Sequence, residues 1–263
     1  SSIAQRKTHV CRRHILLRSL PGTLQSAMRI GVDIRCLMDG KRTGVEEYTL
    51  GVLQAMVSAS PADQFVLFAN SVAPMRLPSF DAPHVEVRAF AYPNTLFNMS
   101  LKVAHIPKLD RLLGGVDVFF VPSFRLAPLS RRCPLVLTVH DLSFVRHPHF
   151  FSRDRRTWHR IMDPLSLTRS AEHILAVSQA TAHDVEALYG VPGSHISVIP
   201  SGISSAMRPL PNGSPVREAV RMRYRLPERF ILFLGTLEPR KNLESLLEAY
   251  ASARSRGVAH ALV

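Results

Sequence analysis

The chain reads as an α/β protein, a Rossmann-like doubly wound parallel sheet followed by the opening of a second, similar domain. Three observations carry this expectation. Short apolar runs alternate with segments of helical periodicity from residue 28 onward. Several runs, such as Asp117–Val121 (DVFFV) and Leu135–Val139 (LVLTV), are continuously apolar, as strands buried on both faces are. A stretch rich in Pro, Gly, Ser and Asn over residues 201–215 separates this series from a further strand-then-helix pattern.

In order, Arg29–Ile34 (RIGVDI) reads as the first strand and Cys36–Gly44 as a polar loop. Apolar residues at 45, 48, 52, 53 and 56 give the next segment a helical period. Phe65–Phe68 and Val85–Phe90 read as strands around a Pro-rich connection. Leu96–Leu113 reads as a helix that Pro107 must kink or divide. After the two buried runs, Arg153–Arg169 is an amphipathic helix and Ile174–Val177 a strand. Thr181-Ala182-His183-Asp184 resembles a capping box opening a helix that Gly190 closes, and Ile196–Ile199 is the next strand. Residues 211–263 read as a linker plus one βα unit, whose helix carries Leu243, Leu246, Leu247 and Tyr250 at i, i+3, i+4, i+7.

Of the 263 residues, 46% are hydrophobic and 20% charged, which fits a globular protein and excludes a disordered one. No apolar run reaches the roughly 18 residues that a membrane span needs. The net charge is +13. Arg6, Lys7, Arg12, Arg13 and Arg18 supply part of it in residues 1–27, which contain no acid and read as a basic, non-structural extension. Such an excess suits anionic partners: sugar nucleotides, acidic membrane surfaces or nucleic acid. Cys11, Cys36 and Cys133 lack C-x-x-C spacing, so they suggest free thiols in a reducing compartment.

The most telling stretch is Ile231–Leu243. Four apolar residues read as a buried strand, Gly235 ends it, Arg240 and Lys241 follow, and a helix starts behind Asn242. Paired cations beside a helix N-terminus suit a phosphate group; the same pair could equally be solvated. The loop Asp39–Gly44 places a glycine just before a helix, either an ordinary turn or an approach for a diphosphate. His140-Asp141 follows Leu135–Val139 at the end where doubly wound sheets bind ligands. His140 is either a structural loop histidine or a group that takes a proton or binds a sugar hydroxyl. Neighbouring side chains diverge, so Asp141 need not orient it. His147 and His149 raise a metal alternative with no recognised spacing. Arg146, Arg153, Arg155, Arg156, Arg160 and Arg169 form either a solvated face or a contact for an anionic acceptor or membrane. Few aromatics interleave with them, which disfavours a nucleic-acid platform.

Taken together, RIGVDIRCL with TGVEEYT, DVFFVPS, LVLTVHDLSF, ILAVSQATAHDV, ISVIPSGI and FLGTLEPRKNLESLLEAY resemble the glycosyltransferase family 4 group, and His-Asp-Leu-Ser-Phe resembles its mannosyltransferase-type members. The resemblance covers about residues 28–263. It implies a GT-B fold: an acceptor-binding domain over residues 28–210 and, over 211–263, the truncated start of a donor-binding domain, with the two facing across a cleft. It implies a retaining transferase that moves a hexose, mannose in that subgroup, from a nucleotide-sugar to a glycan or lipid-linked acceptor in bacterial polysaccharide synthesis. By position, Gly44 and Gly235 would approach the donor. Arg240 and Lys241 would hold the departing diphosphate across the cleft from Gly44 and His140. His140 would line the reaction centre, with Thr43 and Asp141 on the acceptor side. The family uses no metal or other cofactor. A later glutamate pair that grips donor sugar and ribose would fall beyond Val263, so a fragment with little turnover of its own is expected. Cytoplasmic placement, with peripheral attachment at the inner membrane face, is the accompanying expectation. A non-catalytic acceptor-binding remnant is the competing reading; a nucleic-acid binder and a hexose epimerase on the same fold are further, weaker ones.

Overall fold

The computed structural model describes residues 27–38, 43–75, 77, 79–203 and 207–263. Residues 1–26 of the basic extension, Cys11 among them, and most of the first loop, residues 39–42, lie outside the described residues. The chain divides into two compact units: the described residues through Ser143 with Arg156–Gly202, and Phe144–Arg155 with Ile203–Val263.

The first unit is built on strands β1 (Arg29–Asp33), β2 (Gln64–Asn70), β3 (Val85–Phe90), β4 (Val118–Val121), β5 (Leu135–Val139), β6 (His173–Ala176) and β7 (Ile196–Val198). All pair in parallel, in the order β3-β2-β1-β4-β5-β6-β7. The chain runs outward from β1 to β3, then returns to place β4 against β1. That reversal is the topological switch point, where adjacent connections leave the sheet on opposite faces and open a crevice at the carboxyl ends.

Burial explains the composition of the strands. Phe65 through Ala69 of β2 are all fully buried, as a strand covered on both faces requires. Ile30, Val32, Leu53, Phe65, Leu67 and Phe120 belong to one core cluster, in the registers Ile30↔Phe65 and Val32↔Phe120. A Cβ at Gly31 would stand 2.8 Å from the Phe119 ring, so only glycine lets β1 and β4 approach this closely around that ring.

The helices follow their caps. Helix α1 (Gly44–Ala59) opens on a capping box between Thr43 and Glu46. The segment expected as one helix over Leu96–Leu113 is divided, as Pro107 demands. Helix α2 (Asn94–Met99) passes into a π-helical turn (Ser100–Ala104) that closes at the left-handed residue His105, and α3 (Leu109–Leu112) follows. The helix expected over Arg153–Arg169 is also two. Residues Arg153–Met162 (α5) stop before Asp163, and α6 (Pro164–Ser170) starts with Pro at its first position. Pro164 has no N–H to give to a continuing helix and disfavours helical geometry at Asp163. A short α4 (Ser143–Arg146) precedes them. The N-cap of helix α7 (Gln179–Tyr189) lies three residues before the expected one. Ser178 is its N-cap, accepting from the Thr181 backbone N–H at 3.1 Å, and Gly190 closes it at φ 67°.

In the second unit, α8 (Pro215–Tyr224) occupies residues read from sequence as the end of a linker and its aftermath. Strand β8 (Phe230–Ile231) pairs in parallel with β9 (Ala261–Leu262), and α9 (Leu243–Ser255) lies between them in sequence. The expected buried strand Ile231–Leu234 is corrected here. Only Ile231 of those four residues is in the strand, and Leu232 and Leu234 are 61% and 90% exposed. A two-strand sheet with one crossover helix leaves most of such a run uncovered. On α9, Leu243, Leu246 and Tyr250 are half-buried, while Leu247 is exposed.

Candidate functional site

The best-defined polar cluster lies at the carboxyl ends of β4 and β5, beside the switch point of the seven-strand sheet. His140 directly follows β5, and Pro122 directly follows β4. The His140 Nε2 stands 2.8 Å from the Pro122 carbonyl oxygen. A carbonyl only accepts, so Nε2 carries the hydrogen and Nδ1 is left as the ring's lone-pair nitrogen. Burial pushes the His140 pKa below its ordinary value, against the opposing effects of the Pro122 bond and the nearby Asp141 charge. The imidazole is therefore neutral at physiological pH, held in one tautomer.

Two further contacts fix the ring. Tyr48 of α1 meets it edge-on with centroids 4.8 Å apart, and the Tyr48 hydroxyl lies 3.2 Å from Thr138 Oγ1 in β5. The His140 backbone carbonyl accepts from Thr181 Oγ1 of α7 at 3.1 Å. A backbone carbonyl after β4 and side chains of α1 and α7 thus hold one histidine at the end of β5. Gly44 sits one turn before Tyr48 on the same side of α1, as i, i+4 spacing dictates, and an added Cβ there would meet nothing within 4 Å. Thr43 is exposed, and its backbone N–H donates to Glu46 at 2.9 Å.

Asp141 Oδ1 accepts from the Ser143 N–H at 2.9 Å and Oγ at 2.5 Å, turning the chain into α4. The sequence reading missed Tyr48 and Thr138: Tyr48 faces the sheet on the apolar stripe of α1 and Thr138 is the polar interruption of LVLTV, but neither position reveals its distant partner. It also missed Asp33 and Arg35 at the end of β1. There Arg35 Nη2 lies 2.6 Å from Asp33 Oδ2 and donates to the Leu126 carbonyl at 2.7 Å, with both side chains buried. The guanidinium also stands 5.2 Å from the centre of the Phe68 ring.

The second unit holds the cationic residues. Pro239–Lys241 forms a 3-10 turn directly ahead of α9, so Arg240 and Lys241 immediately precede its N-terminus. Asn242 occupies the N-cap position in the left-handed region without a side-chain cap. Both cations are exposed. Arg240 Nε donates to Glu238 Oε2 at 3.1 Å, and Arg155 approaches the other carboxylate oxygen at 3.9 Å. The Arg240 hydrogen bond, chiefly, holds the Glu238 carboxyl below its ordinary pKa. Gly235 is exposed, and a Cβ there would touch only the ring of Phe233, two residues away, at 3.4 Å. His147 and His149 stand with ring centroids 5.9 Å apart in this unit. Among the described residues, no three His, Cys, Asp or Glu converge as a metal site.

Comparison with known proteins agrees with this architecture. O-antigen chain mannosyltransferase B of Escherichia coli is 25% identical over 223 residues, covering 79% of this chain and 56% of that protein. D-inositol 3-phosphate glycosyltransferase of Salinispora tropica is 28% identical over 128 residues, 47% of this chain and 27% of that protein. The solved structure of Anabaena HepE in complex with UDP-glucose shares the fold with a TM-score of 0.56 at 17% identity, over 89% of this chain and 60% of that one. The aligned part of the chain thus spans little more than half the length of the mannosyltransferase. Its parallel sheet is of the GT-B glycosyltransferase kind. The family model described as Glycosyltransferase Family 4 matches residues 42–206, well over half of the chain, and the chain belongs to that family.

Proposed function

We propose that the protein acts as a retaining glycosyltransferase that takes a hexose, mannose in the first instance, from a nucleotide-sugar donor to a hydroxyl of a glycan or lipid-linked acceptor in bacterial polysaccharide synthesis. The observation that carries this reading is His140, fixed by Pro122, Tyr48 and Thr181 beside the switch point of the sheet. A sugar hydroxyl can donate to a lone-pair nitrogen held in this way, and the buried ring does not repel a developing oxocarbenium charge. The mannosyltransferase relative supports the choice of sugar.

In this reading His140 lines the reacting sugar or acceptor hydroxyl, and Thr43 and Asp141 lie on the acceptor side. Arg240 and Lys241 stabilise the diphosphate charge that grows as the glycosidic bond breaks, aided by the N–H groups at the start of α9. Gly44 and Gly235 leave backbone N–H groups unobstructed for the donor. These cations take the place that a divalent metal would otherwise fill. The acceptor oxygen forms its bond to the anomeric carbon on the side from which the diphosphate leaves, and the leaving phosphate oxygen receives the acceptor proton. Mass spectrometry of products from the full gene product, assayed with GDP-mannose, UDP-glucose and other sugar nucleotides, tests the reading. A hexose-extended acceptor with unchanged anomeric configuration is expected with GDP-mannose. Products with no added sugar from any donor, while the nucleotide-sugar still binds, would overturn it in favour of a binding module.

A further inference from the structure

A line of polar contacts crosses the sheet beside its switch point. It links the carboxyl ends of β1, β4 and β5, which are neighbours in that order. Behind β1, the Arg35 guanidinium grips the Asp33 carboxylate through Nε at 3.0 and 3.1 Å and through Nη2 at 2.6 Å. The Arg35 backbone N–H donates to the same carboxylate at 3.0 Å. The guanidinium is thereby fixed to its own strand end. Its Nη2 also donates to the carbonyl of Leu126, in the connection after β4, at 2.7 Å. Four residues earlier in that connection, the Pro122 carbonyl accepts from His140 Nε2 behind β5.

The far half of the connection between β4 and β5 has separate anchors. The Pro128 carbonyl accepts from the Leu109 N–H at 3.0 Å. Asp110 accepts from the Ser130 N–H at 2.8 Å and from its Oγ at 2.5 Å. Both contacts fasten that half to α3. Arg35 ties the near half, which carries Pro122, to β1.

Stability alone is a poor reason for this pair. Asp33 and Arg35 are both buried, and a buried ion pair adds little over apolar residues of the same volume. An apolar pair, however, cannot hold a carbonyl in place. A charge-assisted hydrogen bond fixes direction as well as distance, and the planar fork of arginine serves carboxylate and carbonyl together. The guanidinium also lies over the Phe68 ring, 5.2 Å from its centre, which restrains it from a third side.

We propose that Arg35, clamped by Asp33, is a positioning residue for glycosyl transfer: it holds the near half of the β4–β5 connection so that the Pro122 carbonyl aims the His140 ring. Arg35 is buried and acts through His140, not on the sugar. The inference rests on the reading of His140 as a group that lines the reacting sugar, so one arm of its test is independent of transfer.

That arm is nitrogen NMR of the whole protein labelled with 15N-histidine. The His140 signals are identified by their loss in His140→Gln. The wild type should show His140 as the single tautomer with hydrogen on Nε2. Asp33→Leu with Arg35→Met removes both charges together and should keep the fold. In it the Nδ1–H form of His140 should rise about tenfold, the effect of loosening one neutral hydrogen bond. Phe65→Leu, a truncation buried in β2, should lower the urea midpoint and leave the tautomer unchanged, which separates positioning from general loosening. In the second arm, the full gene product is assayed with GDP-mannose. The double variant should lose about ten- to a hundredfold in kcat while the donor KM moves less than about threefold. An unchanged single tautomer in the folded double variant would overturn the proposal. Should that variant not fold, Arg35→Lys, which keeps the charge without the fork, decides in the same way. A mixed tautomer with undiminished kcat would also overturn it, since His140 would then not need its aim. A wild-type enzyme that transfers no sugar would strike the transferase reading instead, and the tautomer would still decide whether Arg35 positions His140.

Discussion

The Nε2 of His140 lies 2.8 Å from the carbonyl oxygen of Pro122, and this one contact joins the carboxyl ends of β5 and β4 beside the point where the sheet reverses direction. The contact selects the tautomer, and burial selects the neutral form. Both consequences can be measured.

Stability should depend on this histidine in a defined pH window. His140 and His173 both have pKa values lowered from 6.5, each mainly by burial. A depressed folded-state pKa means that the unfolded chain binds protons first as pH falls. The stabilisation is therefore complete above about pH 6.5 and is lost as pH drops toward the folded-state values. Urea midpoints measured between about pH 7.5 and 5.5 should fall with pH. His140→Gln, which can keep a donor toward Pro122, should flatten part of that slope. A wild-type midpoint independent of pH across the window would contradict neutral burial of both rings.

Arg240 is the residue whose loss should be felt most in turnover. Removing a charge-stabilising group from a transition state commonly costs on the order of 10²-fold in rate, so Arg240→Ala should lower kcat/KM by about that much in the full gene product. Arg240→Lys should restore only part of it, because an ammonium lacks the planar fork.

Glu238 occupies Arg240 in the structure through the 3.1 Å bond. An exposed pair of this kind is worth about 0–1 kcal/mol, so Glu238→Gln should tighten nucleoside-diphosphate binding no more than about fivefold. Calorimetry with GDP and UDP would measure this. Weaker binding in Glu238→Gln would mean that the carboxylate positions the guanidinium instead of competing for it.

The order of strands and helices in the first unit was legible because apolar runs and caps are local signals. The breaks at Pro107 and Pro164 follow from the missing N–H, yet only the first was read, since the polar amphipathic pattern of Arg153–Arg169 continues across Asp163 without a change of period. The Ser178 cap was missed because Thr181 and Asp184 offered a second, similar signature three residues later. The run Ile231–Leu234 misled for a different reason: apolarity reports the tendency to be buried, and burial depends on neighbours that the run itself does not encode. At the candidate site, His140 was legible from its place after a strand. Its partners were not, because the contact with Tyr48 spans 92 positions and the carbonyl of Pro122 leaves no trace in side-chain chemistry.

The buried pair Asp33 and Arg35 should be the most sensitive polar site for stability in the first unit. Both side chains are almost fully enclosed, at 1% and 5% exposure, and the guanidinium also donates to Leu126. Removing one partner leaves an unpaired buried charge, which typically costs about 3–5 kcal/mol. Arg35→Ala should therefore lower the thermal midpoint strongly, and Asp33→Asn should do so as well. A double replacement, Asp33→Leu with Arg35→Met, should cost less than the sum, since it removes both charges together. Additive losses in that cycle would show that the two groups stabilise the fold separately, for instance through Leu126 and Phe68, and not as a pair.

The two described cysteines make a last, simple test of burial. Cys36 is 5% exposed beside Thr49, and burial, above all, pushes its thiol up to about 11. Burial likewise raises Cys133 to about 12, with the Asp110 and Asp117 charges adding to it. Thiolate is the reactive form, so both groups are almost wholly protonated near neutral pH. Native protein treated with iodoacetamide at about pH 8 should remain unlabelled at Cys36 and Cys133, and both should react in urea. Peptide mapping separates them from Cys11. Rapid native alkylation of Cys36 would show that the loop after β1 opens far enough to expose the end of that strand, and with it the Asp33–Arg35 pair.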